Sequence, residues 1–168
     1  MTVVFLGIGS NKGDRLGYLR KAVGSVGRIP GVVVKAVSSV YETQPRGVEV
    51  QSDFLNAALV AESDLSAVEL AGSLKALEQA LGRTRSERWG PREIDIDLLL
   101  YDGLVLESDS LTLPHPELHN RRFVLEPLRE LAPDFVHPRL QASIKDLYAH
   151  CPDNGWVKKT SMKLKQPE

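Results

Sequence analysis

Apolar positions recur along this chain with two periods, and the periods sort it into elements. Val3 to Ile8 is β-branched and apolar, which predicts a buried strand. Gly9-Ser10-Asn11-Lys12-Gly13-Asp14 breaks it. Leu16, Leu19, Val23 and Val26 then recur at helical spacing, so a helix is expected from Arg15 to about Val26. Gly27 to Gly31, with Pro30 inside, ends it. Val32 to Tyr41 reads as a second strand and Phe54 to Ala61 as a third; Thr43 to Ser52 between them is long for a simple hairpin loop. Ser66, with Glu69 three positions on, is a capping box that opens a second helix. Leu70, Leu74, Leu77 and Leu81 form its apolar stripe, and Gly82 stops it. A basic loop then enters a fourth strand that begins near Glu93.

The order βαββαβ predicts an α+β fold with a ferredoxin-like core, an antiparallel sheet with two helices packed on one face. Past Tyr101, Asp102-Gly103 predicts a turn and a hairpin to Leu104-Val105-Leu106. Leu111 to Phe123 is irregular, and short helices are expected over Val124 to Leu131, in spite of Pro127, and over Ser143 to Tyr148. Residues 1–160 read as a single domain and 161–168 as a frayed, basic tail.

Composition narrows the classes. The 168 residues suit one domain with a real core, and a net charge of −1 argues against a general nucleic-acid binder. No apolar run approaches the roughly 20 residues of a membrane span. The N-terminus has no basic n-region, so no signal peptide is expected. Cys151 is the one cysteine, which rules out an internal disulfide and a cysteine-type zinc site. A reduced, cytoplasmic, monomeric enzyme, not fused to a neighbour, is the simplest expectation.

The chemistry concentrates between Arg83 and Tyr101. On the fourth strand Ile94, Ile96 and Leu98 alternate with Asp95, Asp97 and Leu99, so both aspartates project from one face. Carboxylates two residues apart on a strand, roughly 7 Å, can converge on hard cations. Buried in an apolar run, they would be costly unless paired or metal-bound. The preceding loop holds Arg83, Arg85, Arg88 and Arg92 around Trp89, against one acid, Glu87. Guanidinium forks suit phosphate oxygens and an indole face suits a flat heterocycle. These are the parts that phosphoryl transfer from a nucleotide needs. Gly7, Gly9 and Gly13 miss the dinucleotide fingerprint by one residue and there is no Walker sequence, so Gly9-Ser10-Asn11 reads as a tight turn or a flap over the site. Pro114 and Pro116 exclude a helix that would bring His115 and His119 together on zinc; a phosphate hydrogen bond from His115, near Arg121 and Arg122, is the better reading. His137 and His150 read as structural.

Four blocks, FLGIGSN, SSVYETQP with FLNAA, ERWGPREIDIDLLLY and LPHPELHNRRFVLEPL, occur in this order. They make the chain resemble the 6-hydroxymethyl-7,8-dihydropterin pyrophosphokinases of folate biosynthesis, over nearly its whole length to about residue 138. The resemblance implies transfer of a pyrophosphoryl group from ATP to the hydroxymethyl oxygen of the pterin, giving AMP and the pterin diphosphate. It implies two Mg²⁺ ions held by Asp95 and Asp97, one bridging the α- and β-phosphates and the other the β- and γ-phosphates. Arg83 and Arg92 would meet transition-state charge, in a catalytic set with Asp97. Glu78, Arg85, Arg88, Arg92, Leu98, Thr112, His115 and Arg121 fall at nucleotide positions. Thr43, Gln44, Arg46, Phe54, Asn56, Trp89, Asp95 and Phe123 fall at pterin positions, with Asn56 the partner of the ring's amide and amine groups. Ser110 and Pro116 depart from the Arg and Tyr of some members. The chemistry agrees: attack at the β-phosphorus builds charge on phosphate oxygens, which calls for cations rather than a covalent nucleophile. The hydroxyl proton can leave to Asp97 or to water. The loops near 9–14, 44–52 and 82–92 would gather at one side of the sheet and close over ATP, with Trp89 moving inward.

Two rivals fit less well. A Gly-Ser nucleotidyltransferase needs its Gly-Ser close before the DxD pair, whereas Gly9-Ser10 and Asp95 are far apart. An RNA-binding module on the same scaffold needs strand aromatics and a basic run, and Phe5 and Phe54 are scant.

Overall fold

The computed structural model describes residues 1–45, 51–82 and 91–167. In chain order it runs β1 (Thr2–Ser10), α1 (Arg15–Gly27), β2 (Val32–Val37), β3 (Tyr41–Thr43), β4 (Phe54–Ser63), α2 (Ala67–Ala80) and β5 (Asp95–Tyr101). Then come β6 (Leu106–Glu107), β7 (Thr112–Leu113), a 3₁₀ turn at Leu118–Asn120, α3 (Arg122–Leu131), α4 (Ile144–Ala149) and β8 (Val157–Lys159). The main sheet has the order β5-β1-β4-β3-β8, with β2 also on β4, and every pairing is antiparallel.

Alternation along β1 divides the core between the two faces of the sheet. Val4, Leu6 and Ile8 pack with Leu19, Val23 and Val26 of α1, Leu70 and Leu74 of α2, and Ile96 and Leu98 of β5. On the other face Phe5 packs with Ala58, Leu99, Leu125, Leu128 and Ile144. The expected pair of helices therefore shares one face, and α3 with α4 covers part of the other. The caps follow the sequence. Asp14 accepts from the Gly17 N–H at 3.1 Å, and the Ser66 hydroxyl accepts from the Glu69 N–H while donating to its carboxylate. Gly82, at φ 98°, turns the chain out of α2 in a conformation that side chains disfavour.

Three expectations are corrected. The strand expected over Val32 to Tyr41 is broken into β2 and β3. Ser38 accounts for the break: its hydroxyl accepts from the Ala58 N–H at 2.8 Å, taking the place of a ladder carbonyl. The hairpin expected back from Asp102-Gly103 does not form on β5. A turn is there, with Asp102 at φ 45°, but the outer edge of β5 is already occupied. The Glu78 carboxylate accepts from the Ile96 N–H at 2.7 Å and the His115 N–H donates to the Leu99 carbonyl at 2.9 Å. Leu106 and Glu107 pair instead with Leu113 and Thr112 in a separate two-stranded hairpin. Finally, the tail expected to fray from residue 161 lies against the body. Met162 and Leu164 pack on the helix-side core, and the Gln166 amide donates to the Val34 carbonyl at 3.0 Å.

Candidate active site

β1 and β5 build the floor of the site. Gly7 lies opposite Asp97 and Gly9 opposite Asp95, so each carboxylate has a glycine across the ladder on the face away from α1 and α2. Bare backbone there lets Asn56 and Leu99 come close to β1, where side chains would otherwise stand, and a cavity opens beside them. It has a volume of about 280 Å³ and is lined by Gly7, Gly9, Asp95, Asp97 and Leu99 from these two strands. Thr43, Gln44, Phe54 and Asn56 line it from β3 and β4, Arg92 from the entry to β5, and His115, Arg121, Phe123 and Val124 from the chain after β7.

The polar groups in this cavity are held in place. Asn56 is buried, and its amide donates to the Thr43 hydroxyl at 2.7 Å. A Cβ on Gly9 would stand 2.6 Å from the Asn56 carbonyl oxygen, so glycine is what lets this amide lie across β1. Arg92 pairs with Asp95 at 3.1 Å, both largely shielded. Arg121 lies over the Phe123 ring, 5.7 Å from its centre. Asn11, also buried, joins the surrounding loops. Its backbone N–H donates to the Arg92 carbonyl at 3.0 Å, and its side-chain oxygen accepts from the Arg92 N–H at 2.8 Å. Its amide nitrogen donates to Gln51 and to the Ser52 carbonyl at 2.8 and 3.0 Å.

His115 has a fixed chemical form. Burial first, then repulsion from Arg121, pushes its imidazole down to about 4, against the attraction of Glu117. It is neutral at pH 7, and its Nδ1 accepts from the Glu117 N–H at 3.1 Å. The proton therefore sits on Nε2, which makes that nitrogen a donor. Because the folded state favours neutral imidazole, the unfolded chain binds more protons below its ordinary value of 6.5. The contribution is present above 6.5 and lost as pH falls toward about 4. His115→Gln should therefore lose less stability than wild type between pH 7 and pH 4.5 in urea unfolding. Parallel losses would refute this account.

Of the site residues expected from sequence, Thr43, Gln44, Phe54, Asn56, Arg92, Asp95, Asp97, His115, Arg121 and Phe123 come together in this cavity. Glu78, Leu98 and Thr112 do not line it. Glu78 is buried against the edge of β5, Leu98 packs in the helix-side core, and Thr112 pairs in the small hairpin. Arg46, Arg83, Arg85, Arg88 and Trp89 lie outside the described residues. Sequence reasoning missed Asn11 and the floor role of Gly7 and Gly9. Their spacing of two, the same as that of Asp95 and Asp97, was the available signal.

Residues 5–133 match the family model described as 7,8-dihydro-6-hydroxymethylpterin-pyrophosphokinase. The chain belongs to this family. Among pyrophosphokinases of this kind, the 2-amino-4-hydroxy-6-hydroxymethyldihydropteridine pyrophosphokinase of Aquifex aeolicus is 40% identical over 146 residues, covering 87% of this chain and 90% of that one. The protein of the same name from Methylorubrum extorquens is 46% identical over 136 residues, covering 81% and 86%. A crystal structure of Plasmodium falciparum HPPK-DHPS aligns with a TM-score of 0.72 at 14% identity, over 89% of this chain and 43% of that longer one. At that identity the likeness speaks for the fold: a mixed α/β architecture of antiparallel sheet and helices, shared with the pyrophosphokinase structures. Among the described residues no helix is long and apolar enough to cross a membrane.

Proposed function

We propose that this chain transfers a pyrophosphoryl group from ATP to the hydroxymethyl oxygen of 6-hydroxymethyl-7,8-dihydropterin, in folate biosynthesis. The observation that carries the reading is the pairing of Asp95 and Asp97 with Gly9 and Gly7, in one cavity with Asn56 and Phe123. The hydroxymethyl oxygen bonds to the β-phosphorus, the bond from that phosphorus to the α-bridging oxygen breaks, and AMP leaves. The hydroxyl proton departs to Asp97 or to water.

The two carboxylates suit Mg²⁺. Among the described residues no three His, Cys, Asp or Glu side chains gather as a metal site. Mg²⁺, however, is commonly held by one or two carboxylates, with substrate phosphates and water completing the shell. Asp95 and Asp97 would hold two such ions, which supply neutralising charge to the phosphates. Around them Arg92, His115 and Arg121 serve the nucleotide. His115 acts as a neutral Nε2–H donor, so it adds a hydrogen bond without adding charge. Arg83, with Arg92, meets the charge of the transition state, and Arg85 and Arg88 extend the phosphate contacts. Asn56, fixed by Thr43 and Gly9, presents an oriented amide to the pterin edge, and Phe54, Trp89 and Phe123 enclose the ring with Thr43, Gln44 and Arg46. The nucleotide roles of Glu78, Leu98 and Thr112 stay part of this reading at the level of the resemblance. We further read the β1-to-β5 half as a ferredoxin-like core, residues 1–160 as one catalytic unit, and the active species as a cytoplasmic monomer.

The test resolves nucleotides after mixing the protein with Mg·ATP and the dihydropterin. AMP formed only with the pterin present is the expected product. ADP would mean attack at the γ-phosphorus, and no turnover by folded protein would overturn the assignment.

A further inference from the structure

Residues 134–167 lie beyond the part of the chain that matches the family model, yet part of this segment braces the cavity from outside. Three walls are involved. At the first, Arg121 precedes α3 with no side-chain cap, so the helix begins with unsatisfied N–H groups. Asp153 supplies the missing acceptor from a distance: its Oδ2 accepts from the Arg122 N–H at 3.0 Å. Arg121, Phe123 and Val124, at and beside this end of the helix, all line the cavity. At the second, Asp153 Oδ1 accepts from the Gly155 N–H at 2.8 Å, which curls the chain so that the Trp156 N–H reaches the Gln44 side-chain oxygen at 3.2 Å. At the third, Val157 pairs with Thr43 in the β3–β8 ladder, and Thr43 holds Asn56.

We infer that the strap from Asp153 to Val157 positions the cavity wall formed by Gln44 and the first turn of α3, with Asp153 as its principal positioning residue, and so sets the affinity for the ring-bearing substrate. This rests on the pterin reading above. Asp153 acts through the Arg122 and Gly155 amides. The Asp153 carboxylate bonds the Arg122 N–H at the start of α3 and the Gly155 N–H within the strap, so losing it loosens the hold on α3 and, through Trp156, on Gln44. Gly155 is packed so closely that a Cβ there would stand 3.0 Å from Asp153 Oδ1 and 3.6 Å from the Gln44 side chain.

The experiment is steady-state kinetics of the full chain, varying the dihydropterin and ATP separately, for Asp153→Ala, Asp153→Asn and Gly155→Ala. Charge-assisted hydrogen bonds lost at a wall predict a rise of about tenfold in KM for the pterin and a smaller rise in the ATP KM through Arg121, with kcat within about twofold. Asparagine keeps one acceptor oxygen and recovers part of the loss. Gly155→Ala keeps the carboxylate but crowds it and the Gln44 side chain, so it raises the pterin KM in the same direction, and it stands in for Asp153→Ala if that variant does not fold. Wild-type kinetics in the variants, or a fall in kcat with both KM values unchanged, would overturn the inference. Hydrogen exchange separates this from failure of the functional reading. Faster exchange of the Arg122 amide in Asp153→Ala is expected whatever the enzyme turns over, and unchanged exchange would sink the brace even in an active enzyme.

Discussion

Asp97→Ala leaves a folded protein whose turnover falls by roughly a thousandfold or more, the scale set by removal of one group that stabilises charge in the transition state. The expectation comes from where the side chain stands. Asp97 projects from β5 opposite Gly7 and lines the cavity, whereas its neighbours Ile96 and Leu98 carry the packing on the opposite face. Alanine removes a carboxylate and no core contact, so the melting temperature should move by only a few degrees. Asp95→Ala would in addition release Arg92 from its ion pair. Single-turnover AMP formation at saturating Mg·ATP reads the chemical step directly. A rate near wild type for Asp97→Ala would place the phosphoryl chemistry on other groups.

Gly9→Ala costs on the order of a hundredfold in kcat/KM for the pterin, the scale associated with displacing a positioning group by about 1 Å. The new methyl would stand 2.6 Å from the Asn56 side-chain oxygen, well inside contact distance. Moving Asn56 away from it strains the 2.7 Å hydrogen bond to Thr43 in a buried setting. Leu55's carbonyl, 3.6 Å from the same methyl, leaves little room for β1 to move instead. The loss should fall on the pterin more than on ATP, and isothermal titration with each ligand would separate them. Equal weakening of both would mean that β1 itself had shifted.

The local rules carried much of this fold. The alternation in Asp95-Ile96-Asp97-Leu98 told which side chains share a face, because that depends only on the strand's own geometry. The Ser66 cap and the Gly82 stop are equally local. What stayed hidden depended on partners distant in sequence. Ser38 breaks its strand because its hydroxyl meets Ala58, and the return hairpin fails because Glu78 and His115 occupy the edge of β5. At the site, strand alternation supplied the aspartates and the resemblance supplied Asn56, Phe54 and Phe123, and the cavity gathers them all. It did not supply the reason for Gly9, which appears only when β4 is laid beside β1 and the Asn56 amide crosses over it. The tail's basic, polar composition likewise concealed Met162 and Leu164, two side chains that find the core.

Asn11 ties the entry to β5 and the entry to β4 through one amide. Its oxygen and backbone hold Arg92, and its nitrogen holds Gln51 and Ser52. A ligand that shifts Arg92 therefore works against the same side chain as a ligand that shifts residues 51 and 52. In thermodynamic terms the two segments share a linkage, and linkage is reciprocal. Whatever factor the first substrate applies to the affinity for the second through Asn11, the second applies to the first. The double-substrate cycle then closes with one coupling energy, and Asn11→Ala, which cuts the side-chain amide but keeps the backbone bond to Arg92, would remove the share of that energy carried by the side chain.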